Sequence, residues 1–147
     1  MKYLRLILML IASCCCTAAL AQDGLAINRL FDSRAGDDKG SQTYISGGQL
    51  RKMKLELYRS ITLENPQPET VAEIERLVKR DGAHAAEREV QLRGGKLYYG
   101  LYRLTPQGGL NRYVLYLNSA LDGSGKLILV YIEGKADIDQ LKKLLKK

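Results

Sequence analysis

The stretch EREVQLRGGKLYYGLYRLTPQGGLNRYVLYLNSALDGSGKLILVYIE, Glu87 to Glu133, decides the fold. Its apolar residues recur mainly with a period of two, which is the period of a strand with alternate side chains on opposite faces. Four segments rich in Leu, Val, Ile and Tyr stand out: Glu87–Arg93, Lys96–Thr105, Arg112–Asn118 and Lys126–Glu133. Between them lie Gly94-Gly95, Pro106-Gln107-Gly108-Gly109 and Asp122-Gly123-Ser124-Gly125. Connections this short and glycine-rich join antiparallel neighbours, so the stretch predicts a four-stranded meander.

Upstream of the meander, Val71, Ile74, Leu77 and Val78 trace one helical face. Asn65-Pro66-Gln67-Pro68 precedes that helix, with Asn65 as a capping candidate and proline tolerated in the first turn. Lys79 and Arg80 suit its C-terminal dipole, and Gly82 is placed to end it as a C′ residue. Before this helix, Leu55–Glu64 alternates as a strand with Arg59 interrupting its apolar side, and Gln49–Met53 reads as a helical turn. Thr43-Tyr44-Ile45 reads as a short strand. Ile27, Leu30 and Phe31 give a short amphipathic helix that ends in the polar loop Arg34–Gly40. Downstream, Ile138, Leu141, Leu144 and Leu145 line the inner side of a last helix, about Asp137 to Lys146. The expectation is a single α+β domain: an antiparallel sheet with a four-stranded C-terminal meander and helices packed on one face.

The N-terminus fixes the expected compartment. Met1–Arg5 is basic, Leu6–Ala12 is apolar and the following residues are small, the three regions of a secretory signal. The apolar run is too short to span a bilayer. Ala19-Leu20-Ala21 carries small side chains where a signal peptidase needs them, so residues 1–21 are expected to be removed, leaving a domain over 22–147. The alternative is a lipoprotein signal, residues 1–13, in which Ile11-Ala12-Ser13-Cys14 places Cys14 as the lipidated first residue. The protein is thus expected to be exported, either periplasmic or secreted or else tethered to the membrane through Cys14. No transmembrane span is expected in the mature chain.

Composition then removes several function classes. All three cysteines, Cys14, Cys15 and Cys16, lie in the leader, so the chain from Gln22 onward has no disulfide, thiol nucleophile or thiolate metal site. With no cysteine after the leader and His84 the only histidine, Cys–His catalysis and two-histidine zinc sites are excluded within one chain. No metal or other cofactor is expected. The formal charge of +7 falls to +5 without Lys2 and Arg5, and four of the remaining cations sit in Lys142-Lys143-Leu144-Leu145-Lys146-Lys147. A nucleic-acid binder would carry its basic residues on the body of the domain among aromatics, so no nucleic-acid partner is expected.

Three features remain as site candidates. Ser46, Gly47, Gly48 and Arg51 mark a strand-to-helix passage whose backbone amides could hold an anion. Tyr98, Tyr102 and Tyr116 belong to the tyrosine-rich meander, where an outward row would make a platform for a ligand or partner. The carboxylates Asp37, Asp38, Asp122, Asp137 and Asp139 each have a turn or helix-start explanation.

With these residues in view, the chain resembles the small exported domains of unknown function of the Bacteroidetes envelope. The resemblance rests on "SQTYIS" followed by a helical turn, on the tyrosine-rich meander, and on LILVYIEGKADIDQLKKLLKK with Gly134, Asp137, Ile138 and Leu141 in a strand-Gly-helix passage. It implies an envelope location and a non-enzymatic role, and it brings no catalytic residues. The leading expectation is therefore a non-catalytic envelope module binding a protein or small ligand. Its rivals are a carboxylate-dependent hydrolase acting on glycans and an assembly or structural factor of an outer-membrane complex.

Overall fold

In the computed structural model, which describes residues 24–33 and 40–146, the chain runs through ten regular elements and one 3-10 turn. They are α1 (Asn28–Ser33), β1 (Gly40–Ser46), α2 (Gly48–Arg51), β2 (Leu55–Glu64), α3 (Pro68–Gly82), β3 (Glu87–Arg93), β4 (Lys96–Gln107), β5 (Leu110–Asn118), the 3-10 turn Ser119–Asp122, β6 (Lys126–Gly134) and α4 (Ile138–Leu145). The two candidate cleavage sites, Cys14 among them, and the loop residues Arg34–Lys39 with Asp37 and Asp38 lie outside the described residues.

All six strands form one antiparallel sheet in the order β1-β2-β6-β5-β4-β3. The meander β3–β6 occupies two thirds of it. Gly94-Gly95 and Gly108-Gly109 both have positive φ at each central position, the mirror-image turn whose twist matches the flanking strands and which glycine adopts without a Cβ penalty. β6 closes the domain by pairing with β5 on one side and β2 on the other, so the N-terminal hairpin joins the meander through the C-terminal strand.

Helices lie on both faces, not on one as the alternation suggested. The reason is β6 itself. Leu127, Leu129 and Tyr131 point to one core with Ile61, Leu63, Tyr102, Val114 and Tyr116, covered by α1 (Leu30, Phe31) and α3 (Ile74, Leu77, Val78). Val130 and Ile132 point to a second core with Leu101 and Tyr113, covered by α2 (Leu50) and α4 (Leu141). A strand apolar on successive residues has two faces to bury, and Leu127 to Ile132 is such a run.

Two local expectations also change. The N-cap of α3 is Gln67, with Pro68 in the first turn, whereas Asn65 adopts φ 47° and passes its amide to the Gly125 carbonyl at 2.5 Å. Gly82 is the last residue of α3 and not a left-handed cap. A Cβ there would lie 2.4 Å from the Tyr102 ring, and one on Gly100 would lie 2.7 Å from the same ring. The Tyr102 ring therefore fills the space that two glycines leave, one on the helix and one on its own strand. α4 starts as expected: the Asp137 carboxylate accepts from the Gln140 amide and the Gln140 side chain accepts from the Asp137 amide, a reciprocal capping box.

Candidate functional site

The tyrosines separate by depth. Tyr102 and Tyr116 are core residues, 4 % and 0 % exposed beneath α3, so they line the sheet and do not join Tyr98 in an outward platform. The face they occupy is the one α3 covers; a bulge sets Tyr98 apart from them, because pairing shifts from Gln91↔Tyr99 to Leu92↔Leu97 and leaves Tyr98 without an opposite residue. Tyr98 is half-exposed at the end of β4. Its hydroxyl donates to Asp122 Oδ2 at 2.6 Å, and the Arg93 guanidinium stacks 3.6 Å from its ring centre while pairing with Asp122. The three side chains clamp the β3–β4 turn to the 3-10 turn, which occupies Asp122 structurally.

Below α3, the Tyr116 hydroxyl and Asn118 Oδ1 lie two residues apart on β5, both buried and neither in hydrogen-bond geometry with a described residue. Burial first, and then the nearby Glu75 carboxylate, push the Tyr116 phenol far above its usual range; Asn118 lies near enough to offset this in part. Tyr131, also buried, donates to Glu133 Oε1 at 2.6 Å, and burial followed by that carboxylate raises it in the same way.

Asp81 is a residue whose role the sequence reading left unassigned. Its two carboxylate oxygens accept from the amides of Ala26 and Ile27 at 2.8 and 2.9 Å, fastening the approach of α1 to the end of α3. A carboxylate in the last turn of a helix opposes the helix dipole, and that local conflict was the available signal. The clefts beside it are lined by Gly24, Leu25, Arg80 and Asp81, extending on one side to His84 and Arg112. His84 is exposed in the turn after α3. Asp81→Ala is expected to lower stability by about 1.5–3 kcal/mol, the worth of hydrogen bonds to a charged group, with Asp81→Asn between the two; urea unfolding of the three proteins checks this.

Of the anion candidates, Gly47 (φ 94°) leads into α2, a single turn of four residues with no side-chain cap, and Ser46 is exposed at the end of β1. Arg51 lines a cleft. That cleft, of about 470 Å³, is lined by Arg51, Lys54, Leu55, Glu56 and Lys135. Sequence spacing could not pair Lys54 with Lys135; the β2–β6 ladder brings their turns together.

The two sheet edges differ in kind. β3 (EREVQLR) is exposed along its length but carries four charges, and three of them are tied down: Glu87 to Arg103, Glu89 to Lys142 and Arg93 to Asp122. The Glu89 contact also raises the Lys142 ammonium above its usual range. β1 (GSQTYIS) is equally exposed and has no charged residue and no proline. Tyr44 on it is 65 % exposed and Ile45 is at the surface, while Arg59 on β2 lies between the rings of Phe31 (4.7 Å) and Tyr44 (5.8 Å). Next to this edge, on the α4 face, Tyr58, Leu115 and Ile128 are only half-buried.

Among the described residues there is no group of three or more His, Cys, Asp or Glu side chains arranged to hold a metal ion, and no helix is long and apolar enough to cross a membrane. One protein family, described as being of unknown function, matches the chain over residues 14–145. No curated protein and no solved structure matches.

Proposed function

Since the chain belongs to the DUF6108 family, a family of unknown function whose match covers residues 14–145, membership brings no activity with it, and we propose from the residues themselves that the protein is a non-catalytic envelope module that binds a partner polypeptide along the open edge of β1. The observation that carries the reading is the contrast between the edges. An edge strand presents unpaired backbone N–H and C=O groups, and native sheets guard such edges with charge, proline or a covering element. β3 is guarded by anchored charges. β1 has neither charge nor proline, and no described strand pairs with its outer side. An extended segment added there gains main-chain hydrogen bonds, while Tyr44 and Ile45, on opposite faces, contact alternate side chains of the incoming strand. Export of the Bacteroidetes envelope type is part of this proposal and is supported by the leader residues Met1–Ala21.

The edge is tested by placing a photo-crosslinker at Thr43 or, as a control, at Val90 on β3 in an envelope preparation. The segment captured at Thr43 is then synthesised and added to the purified protein. We expect the backbone amides of β1 to become protected from hydrogen exchange, and the protection to be lost when the peptide backbone is N-methylated. Equal capture at both edges, or binding that leaves β1 exchange unchanged, would sink the proposal. Location is tested separately by intact mass from an envelope fraction: a chain starting at Gln22 or at an acylated Cys14 supports export, and one retaining Met1–Ala21 in a cytoplasmic fraction overturns it.

A further inference from the structure

The cleft of about 470 Å³ between the α2–β2 turn and the β6–α4 turn has a built backbone and an excess of positive charge. We propose that it is a binding site for a phosphate-bearing ligand, held by Arg51, Lys54 and Lys135. This stands independently of the β1 edge.

Three observations carry it. First, the fold fixes the backbone from which the three exposed cationic side chains arise. The Lys54 carbonyl accepts from the amides of both Lys135 and Ala136, at 2.8 and 3.0 Å, and the Lys54 amide donates to the Arg51 carbonyl at 3.0 Å. One residue therefore positions all three side-chain origins, although Lys135 is far away in sequence. Second, the backbone accepts unusual geometry to do so. Lys54 sits at φ 58°, where a residue with a side chain is disfavoured. Gly134 lets the two turns meet, because a Cβ on it would lie 2.5 Å from the Lys54 carbonyl oxygen and 2.7 Å from Leu55 Cα. Third, the charges are available. None of the three cations forms an ion pair with a described residue, and they share the cleft with one carboxylate, Glu56. Glu56 is the bulged residue where pairing moves from Leu55↔Gly134 to Leu57↔Glu133, so it has no opposite residue in the ladder.

The chemistry of the cations selects the ligand. Arg51 offers a planar fork suited to two oxygens of one phosphate, while Lys54 and Lys135 act as point charges that reward a second negative charge. The cleft volume exceeds what an inorganic anion needs and falls in the range of small-ligand sites. Leu55, the apolar residue of the lining, is buried and ties the cleft wall to the second core.

The test is a titration of the purified protein with pyrophosphate at constant ionic strength, followed by amide chemical shifts. Saturable changes are expected at Arg51–Glu56 and at Lys135–Ala136. Lys54→Gly removes a charge yet suits the positive φ, so the fold is retained. It and Lys135→Gln are each expected to weaken binding at least about tenfold. The double variant Lys143→Gln, Lys146→Gln, at exposed positions in the last turn and C-cap of α4, is expected to leave affinity unchanged. A linear drift spread over the surface, or an equal loss in the α4 double variant, would overturn the site. Phosphatidic acid vesicles distinguish the source of the phosphate: competition with pyrophosphate that depends on Lys54 and Lys135 makes it a lipid headgroup, and pyrophosphate binding without competition makes it a soluble ester. Vesicle binding that survives Lys54→Gly and Lys135→Gln would again overturn the site.

Discussion

Raising the pH above 10 is expected to unfold the protein in one cooperative step, with phenolate absorbance appearing as the far-ultraviolet circular dichroism is lost. Tyr116 and Tyr131 drive it. Both are buried, at 0 % and 5 % exposure, and both are held protonated well above the ordinary tyrosine value of 10.0, by burial first and then by a neighbouring carboxylate, Glu75 or Glu133. Below pH 10 each phenol is protonated in the folded and unfolded chain alike, and its contribution to stability is fully present. Above pH 10 the unfolded chain releases protons that the folded chain keeps, so the unfolded state binds fewer and stability falls as pH rises. Each group removes up to about 1.4 kcal/mol per pH unit, and the two together remove about 3. Tyr99, Tyr102 and Tyr113 are raised in the same direction, chiefly by burial, and steepen the loss. At pH 12, two units above the ordinary value, the two phenols have removed about 5–6 kcal/mol, so a domain near the low end of the usual 5–15 kcal/mol is expected to be unfolded by about pH 12. Tyr131→Phe and Tyr116→Phe should each flatten the slope. Tyr116→Phe also removes a buried hydroxyl that lacks a partner, so it should cost little at pH 7. Gradual tyrosine ionisation with the fold intact would contradict the account.

What could be read from the sequence was whatever depends on neighbours along the chain. Period-two patterning and paired glycines placed β3 to β6 because hairpin geometry is local. Asp137 could be placed at the start of α4 because its partner, Gln140, is three residues away. Features that depend on what lies across the fold could not be read. Gly82 looked like a helix cap, but its reason is the Tyr102 ring, which arrives from β4. Strict alternation places Tyr98 and Tyr102 on one face, but a single bulge changes the phase between them. The two-sided burial of β6 was present as the unbroken apolar run Leu127–Ile132, a signal outweighed by the alternation in the other strands. For the candidate sites the division is the same. Arg51 was identified by its position after Gly47-Gly48, whereas Lys54 and Lys135 meet only because β2 pairs with β6. The bare edge of β1 became meaningful only once the strand order made it an edge.

Tyr113→Ala is expected to be the most damaging substitution of a single side chain, at about 3–5 kcal/mol, the cost of deleting a large aromatic from a core. The ring is fully buried on the α4 side of the sheet with Leu101, Val130, Ile132 and Leu141. Its hydroxyl donates to the Ala136 carbonyl at 2.7 Å, and Asn111 Nδ2 donates to the same oxygen at 3.2 Å. β5 thus holds the turn that launches α4. An eight-residue helix has little stability of its own in water, so α4 depends on this anchor, on Leu141 and on its capping box. Removing the ring leaves a cavity beneath α4 and releases the turn, and α4's part of the covering of the second core is lost with it. Tyr113→Phe keeps the ring and removes one of two donors to Ala136, so its cost should be only about 0.5–1.5 kcal/mol. Denaturant unfolding gives both values. Hydrogen exchange separates the mechanism: in Tyr113→Phe the amides of α4 should exchange faster while those of β4 and β5 hold, and in Tyr113→Ala all three should accelerate. If both variants lost the same free energy, the cavity would be unimportant and the hydrogen bond would carry the anchor alone.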